Sequence, residues 1–186
     1  MIQQNLHNGN NNRLFSNEEE EQRIWEILKE VKDPEIPVLS ILDLGIVRDV
    51  KVSMNQEPSS EGPQLSITIT PTYSGCPAMD VISMDIRLKL IEKGYRRITI
   101  LQQLSPAWTT DWMTEEGKLK LKSFGIAPPN PKQQFCKEEM FQQEAVQCPR
   151  CNSYHTELIS QFGSTACKAL YRCLDCKEAF DYFKCH

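Results

Sequence analysis

Four cysteines in two closely spaced pairs constrain this chain more than any other feature. Cys148 and Cys151 form one CxxC pair, and Cys173 and Cys176 form a second pair after 21 intervening residues. A tight CxxC turn points two sulfurs at one ion, and two such turns complete a tetrahedral thiolate site. The 39 residues from 148 to 186 are too few to fold on apolar burial alone, so metal would provide much of their folding free energy. We therefore predict a C-terminal β-type ribbon with a structural zinc ion.

The spacing leaves some alternatives open. A redox-active CxxC is a rival interpretation, although one pair would serve it better than two, and a rubredoxin-type iron site would use the same four ligands. Cys167 is not predicted to be a fifth ligand, because six extended residues would place its Cα roughly 20 Å from that of Cys173. It is either a buried small residue or a second functional thiol. Cys185 and His186 are interpreted as incidental or as weak metal contacts.

Composition and charge exclude several classes of protein. The 186 residues carry a net charge of -4, which argues against tight binding to a nucleic-acid backbone. No apolar run approaches the roughly 20 residues that span a bilayer, and the N-terminus lacks the apolar core of a signal peptide. We expect a cytoplasmic protein with neither nucleic-acid nor membrane partners. In a reducing cytosol, five cysteines within 29 residues favour metal over disulfides.

Hydrophobic periodicity predicts an α+β domain over residues 16–126, after a disordered, Asn-rich leader at 1–15. Ser16 and Glu19 form a capping box that starts the first helix. Further helices are predicted from Pro77 to Gly94 and over 114–124, with strands at 46–54, 65–70 and 96–102. The second and third strands flank a helix, so they are predicted to be parallel within a three-stranded mixed sheet. Residues 127–147 are interpreted as a linker, and 148–186 as the zinc ribbon.

Cys76 is the candidate functional residue of the first domain. Gly75-Cys76-Pro77 places a thiol just before a predicted helix, where unpaired N–H groups and the helix dipole favour a thiolate. Such a thiolate serves as a metal ligand or a nucleophile. The alternative is a capping or buried thiol, and the spacing does not choose between them.

Three carboxylates in turns also have both a structural and a functional interpretation: Asp33, Glu35 and Asp43. On physical grounds they favour caps and turns, but they could assist a metal near Cys76 if the fold brings the loops together. Trp108 and Trp112, in an irregular segment, are either core anchors or a contact surface.

Two groups of motifs resemble known families. Asp33-Pro34-Glu35-Ile36-Pro37, Asp43-Leu44-Gly45-Ile46-Val47 and Thr70-Pro71-Thr72-Tyr73-Ser74-Gly75-Cys76-Pro77-Ala78-Met79 resemble the MIP-eighteen-like (SufT-like) domain of iron–sulfur assembly proteins. The run Phe162-Gly163-Ser164-Thr165-Ala166-Cys167-Lys168-Ala169, with both CxxC pairs and Phe180-Asp181-Tyr182-Phe183-Lys184, is similar to the D subunits of the bacterial phenylacetyl-CoA epoxidase system. The resemblance covers about residues 18–186. The sequence departs from common zinc knuckles at Asn152 and Lys177, two positions where glycine is usual.

The resemblance implies an accessory or maturation role in phenylacetate catabolism, with the oxygenase and reductase components as partners. On this hypothesis Cys76, with Asp43, Glu35 and Cys167, would bind iron or an iron–sulfur cluster transiently. The alternative is a docking component that transfers no metal.

The residues themselves argue against catalysis by this chain alone. The three histidines cannot supply the two Glu-x-x-His motifs of a di-iron oxygenase, and the sequence contains neither a dinucleotide-binding fingerprint nor a P-loop. No histidine lies in the α+β domain to activate Cys76 as an enzyme nucleophile.

Overall fold

A computed structural model describes residues 16–53, 62–129 and 146–184; the predicted leader lies outside these ranges. Helix α1 (Asn17–Leu28) begins with the predicted capping box. The Glu19 N–H donates to Ser16 Oγ at 3.2 Å, and the Ser16 N–H donates to Glu19 Oε2 at 3.0 Å. Each bond satisfies a backbone donor that the helix start leaves free.

A three-stranded mixed sheet forms the centre of the first domain, as predicted. Strand β1 (Val47–Ser53) pairs antiparallel with β2 (Gln64–Ile69), and β2 pairs parallel with β3 (Arg97–Gln102). Helix α2 (Ala78–Glu92) makes the crossover that a parallel pair requires. The central strand holds the core through its alternate, fully buried residues Leu65, Ile67 and Ile69.

The start of α2 differs slightly from the prediction. Pro77 is the N-cap residue, with helical φ and ψ, and Ala78 is the first helical residue. Cys76 therefore lies one residue outside the cap. Proline has no polar side-chain atom, so the first N–H groups of α2 receive no side-chain cap.

A 3₁₀ turn at Thr110–Trp112 precedes helix α3 (Glu115–Phe124). Thr114 caps this helix by accepting the Gly117 N–H at 2.9 Å, and Gly125 ends it in the left-handed conformation that glycine adopts without strain. Across the described ranges, no helix has both the length and the apolar character that crossing a membrane requires.

The C-terminal module, which we call the ribbon (residues 146–184), is an antiparallel sheet. Strands β4 (Thr156–Ser160), β5 (Lys168–Cys173) and β6 (Ala179–Phe183) pair in chain order. These three strands form the β-type ribbon that the sequence predicts. The α+β architecture with a C-terminal ribbon is thus confirmed.

The ribbon packs against the first domain. The Ala127 N–H donates to the Asp181 carbonyl at 2.8 Å, and the Ala127 carbonyl accepts the Phe183 N–H at 2.9 Å. Phe183 is 1% exposed and belongs to the core of the first domain, with its ring edge-on to Trp108 at 6.1 Å. Ala127 opens the predicted linker, and residues 130–145 of that linker lie outside the described ranges.

Candidate functional site

The four cysteines of the two CxxC pairs converge in the ribbon. Their sulfurs all lie within 4.8 Å of one another, with Cys148 Sγ 3.8 Å from Cys176 Sγ and Cys151 Sγ 3.5 Å from Cys173 Sγ. A tetrahedral ion with metal–sulfur bonds of about 2.3 Å would hold its sulfurs roughly 3.8 Å apart. The donor set and its spacing therefore fit a four-thiolate metal site, and the chain has a metal site here.

Asn152 and Lys177, which stand where zinc knuckles often carry glycine, both adopt the backbone conformation that glycine would take. Asn152 and Lys177, each directly after the second cysteine of a pair, adopt positive φ of 61° and 64°. In the first knuckle the Asn152 N–H donates to the Cys148 carbonyl at 2.9 Å. In the second, Lys177 Nζ donates to the Leu174 carbonyl at 2.5 Å. Both residues thus take the left-handed conformation in which glycine is usual.

A second group of candidate residues meets where the ribbon covers the first domain. Cys76, Glu35 and Cys167 line one small cavity, together with Asp33 and Phe183. Cys76 and Glu35 are half-buried, whereas Cys167 is 5% exposed. The Cys167 thiol donates to Glu35 Oε2 at 3.7 Å. A sulfur of the ribbon therefore touches a carboxylate of the first domain.

The environment of Cys167 favours its neutral form. Burial raises the pKa of this thiol to about 11, and the negative charge of Glu35 raises it further. The hydrogen bond with Thr165 lowers the pKa but does not outweigh these two effects. Thr165 Oγ1 lies 3.0 Å from the sulfur. Without a metal, Cys167 is thus a protonated thiol at neutral pH, and binding an ion would release that proton.

Sequence reasoning missed two neighbours of this cavity. Burial and a hydrogen bond with Cys76 raise the pKa of the Tyr73 phenol, and the charges of Glu35 and Cys167 add to the effect. Lys168 is 4% exposed, pairs with Asp181 at 3.7 Å, and acts on both Asp33 and Cys167 through its charge. Both residues stand within the motifs quoted above, Tyr73 three positions before Cys76 and Lys168 directly after Cys167, and that proximity was the available signal.

Asp33 is held by its own turn. Its Oδ1 accepts the Glu35 N–H at 2.9 Å and the Ile36 N–H at 2.7 Å. Burial raises the pKa of Asp33 despite these two bonds. The carboxylate thus both shapes the loop that carries Glu35 and lines the cavity.

Asp43 does not line this cavity. Its Oδ2 accepts bonds from the Ser40 N–H and hydroxyl, both at 2.8 Å, and pairs with Lys120 Nζ at 2.9 Å. Thr114 Oγ1 donates to its other oxygen at 3.3 Å. Burial alone would raise the pKa of Asp43, but the bonds from Ser40 and Lys120 outweigh it and hold the pKa below its usual value. These bonds tie the loop before β1 to α3.

The two tryptophans occupy different positions. Trp108 is a core anchor, 3% exposed, and its indole N–H donates to the Leu44 carbonyl at 2.8 Å. Trp112 is half-buried, with the Arg48 guanidinium 3.4 Å above its ring.

Family models match two parts of the chain. One described as an iron–sulfur cluster assembly protein matches residues 21–93, and one described as the PaaD zinc beta ribbon domain matches residues 132–184. A protein of Escherichia coli (strain K12), named as the D subunit of a 1,2-phenylacetyl-CoA epoxidase, is 49% identical over 162 residues, which are 87% of this chain and 91% of the relative.

A further relative and a solved structure each match a little over half of this chain. An Fe-S protein maturation auxiliary factor of Porphyromonas gingivalis is 36% identical over 60% of this chain and 96% of its own length. The crystal structure of a domain of unknown function from Bacillus anthracis (DUF59) covers 56% of this chain and 93% of that structure, with 28% identity and a TM-score of 0.49.

Proposed function

The chain belongs to the family of phenylacetyl-CoA epoxidase D subunits, and from that premise we propose that it is a maturation factor that delivers iron, or an iron–sulfur cluster, to the oxygenase or reductase of that system. Its accessory role follows from the family and from the assembly-protein character of residues 21–93. The finer proposal is that Cys76, Glu35 and Cys167 hold the cargo.

One observation carries this proposal: two thiols and a carboxylate from opposite ends of the chain meet at one cavity. Cys167 and Glu35 are 132 positions apart. A transfer ligand has to be reachable and incompletely coordinated, and half-buried Cys76 beside the uncapped start of α2 meets both conditions. Asp43 is left out of this site because its oxygens are occupied by Ser40, Thr114 and Lys120.

The four-cysteine site has a separate role in the proposal. We assign it to zinc, which would provide the folding free energy of the ribbon and take no part in transfer, because four thiolates leave no open coordination position. Iron in the same site would keep the ribbon folded but would give a coloured protein.

The test is genetic complementation with a matched thiol control. Cells that lack this chain receive the wild type, Cys76→Ala or Cys136→Ala, and growth on phenylacetate and the iron content of the purified oxygenase and reductase are measured. We expect Cys76→Ala to lower both readouts severalfold, while Cys136→Ala, which removes a thiol that belongs to neither set of proposed ligands, keeps them. Full iron content with Cys76→Ala would refute transfer.

A second candidate function is docking without metal transfer, and one feature favours it. The outer face of α2 exposes an apolar stripe at helical spacing, formed by Val81, Met84, Leu88 and Ile91. On this alternative Leu88→Lys would abolish co-purification with the epoxidase components and halt growth, while Cys76→Ala would leave growth unchanged. The two variants together separate the two functions.

A further inference from the structure

We propose that two copies of this chain pair through the outer edge of β3, which joins their two three-stranded sheets into one continuous sheet across a twofold axis. The strand that covers β3 is the β3 of the second copy, running antiparallel. The proposal concerns assembly, and it depends neither on the cargo of the cavity at Cys76 nor on the four-cysteine site.

The outer edge of β3 carries main-chain groups that lack a partner strand. The Gln103 N–H donates inward to β2 at 2.9 Å. Main-chain groups alternate between the two sides of a strand, so those of Ile98, Ile100 and Gln102 point outward. The Ile98 carbonyl accepts a bond from the Arg87 guanidinium at 2.9 Å. Among the described residues, no main-chain group pairs with Ile100 or Gln102 on this outer side.

The sequence of β3 does nothing to discourage pairing at this edge. From Ile98 to Leu104 the chain has neither a charged residue nor a proline, and its register with β2 has no bulge. Leu101 and Leu104 are 49% and 62% exposed. Edge strands of soluble proteins are protected by charge, proline, a bulge or a covering segment. An edge that has none of these is expected to pair with another strand.

The other three sheet edges of the described ranges are protected. Strand β1 holds three charged residues and a register shift, and its Val52 N–H donates to Glu21 Oε1 at 3.1 Å. Strand β4 has a register shift between Leu158 and Ser160. Strand β6 is covered by Ala127, which bonds to it on both sides of its peptide. Each copy thus presents one open edge, so pairing closes at two copies and does not continue into a fibre.

The open edge is complementary to itself in the antiparallel direction. With Ile100 on the twofold axis, Ile100 faces its own copy and Ile98 faces the second copy's Gln102. Each facing pair exchanges two N–H···O bonds, so every outward group gains a partner. On the open face of the sheet, Thr99 faces the second copy's Leu101, and no like charges meet within the strands. This match favours a second copy over an unrelated strand.

Helix α2 adds charge complementarity to the same interface. The twofold axis keeps α2 and its copy on one face of the joined sheet, where they run antiparallel. Arg87 points toward the β3 edge, because it donates to the Ile98 carbonyl, and that carbonyl keeps a second lone pair for the new strand. Asp80 lies about two helical turns before Arg87 and on the same side of α2.

The spacing along both elements places these charges opposite each other. Ile98 lies about 7 Å from the axis at Ile100, and Asp80 lies about 10 Å from Arg87 along the helix. Because α2 runs opposite to β3, Asp80 falls on the other side of the axis, within about 3 Å of the level of the second copy's Arg87. The acidic end of one helix therefore meets the basic position of its copy.

Sedimentation velocity and amide hydrogen exchange on the full-length protein, with the four-cysteine site filled by zinc, test this pairing. We expect a dimer that dissociates on dilution, with the Ile100 and Gln102 amides protected only in the dimer. Leu101→Lys introduces a charge at the edge, and Gln102→Pro removes an outward N–H without breaking a bond to β2. Each should weaken self-association at least about tenfold, or about 1.4 kcal/mol.

Leu119→Lys is the matched control, because Leu119 is 66% exposed on α3, and it should leave self-association unchanged. Circular dichroism verifies that each variant folds. If Gln102→Pro does not fold, Leu101→Lys decides alone, since its side chain is exposed in the monomer.

Three outcomes would overturn the proposal. The first is a monomer at every concentration with both amides unprotected. The second is a dimer that persists in Leu101→Lys and leaves the two amides unprotected, which would place the interface elsewhere. The third is protection of the two amides only after purified oxygenase or reductase is added, which would make the covering strand that of a different protein. None of these results changes the iron content measured for the proposed function, so the two proposals fail separately.

Discussion

Replacing Phe183 by alanine tests whether the ribbon is an integral part of the first domain. The ring is 1% exposed and lies edge-on to Trp108 with centroids 6.1 Å apart. Truncating a buried phenylalanine to alanine costs about 3–5 kcal/mol, of which an edge-on aromatic pair contributes about 0.5–1.5 kcal/mol. Phe183→Ala should therefore lower the free energy of unfolding by about 3–5 kcal/mol.

Urea denaturation followed by tryptophan fluorescence measures this loss, because Trp108 reports directly on the contact. With an m-value of about 1–3 kcal/mol per molar urea, a loss of about 3 kcal/mol shifts the midpoint by about 1–3 M. Since Phe183 is buried in the first domain, we expect that domain to lose stability while the ribbon keeps its metal.

Two phenylalanines of the ribbon serve as matched controls. Phe180, 5% exposed, belongs to the ribbon's own core and stacks on Tyr171 at 6.0 Å, so Phe180→Ala should weaken the ribbon and its metal retention. Phe162 is 65% exposed, so Phe162→Ala should stay within about 0.5 kcal/mol of the wild type. If Phe183→Ala changed stability no more than Phe162→Ala, the docking of the ribbon onto the first domain would be refuted.

Three further predictions concern metal, pH and backbone. Chelation of the four-cysteine metal should unfold the ribbon, seen as lost strand signal in circular dichroism and four newly reactive thiols; unchanged thiol reactivity would contradict a structural metal. Asp43→Asn should destabilise the fold by about 1–3 kcal/mol at pH 7. Because the folded pKa of Asp43 is lowered, its stabilisation is complete above the unfolded value of about 4 and fades as pH falls through the folded value, so melting temperatures of variant and wild type should converge in acid. Gly45→Ala should cost far more than the roughly 1–2 kcal/mol expected for Gly75→Ala: both glycines have positive φ, but a Cβ at Gly45 would meet the Trp112 carbonyl oxygen at 2.3 Å, whereas Gly75 has open space. Equal melting temperatures for the two variants would contradict this steric argument.

Local sequence rules predicted the helices and strands because the interactions that start, end and pattern them lie within a few residues. The capping box at Ser16, the alternation of β2 and the left-handed end of α3 at Gly125 each depend on neighbours three or four positions away. The same holds for the CxxC turns, whose spacing alone aims two sulfurs at one point. Hydrophobic period and turn chemistry therefore determined the order of the elements and the mixed sheet.

The partners of the candidate site were decided by tertiary packing. In the sequence, Asp43 and Glu35 are both carboxylates in turns. In the structure, Asp43 pairs with Lys120, which is 77 positions away, whereas Glu35 accepts a hydrogen bond from Cys167, which is 132 positions away. The position of Cys167 follows from the way in which the ribbon packs Phe183 against Trp108. The sequence gives the chemistry of each side chain. Which side chains share a cavity depends on contacts between distant segments, because those contacts form only when the whole core packs.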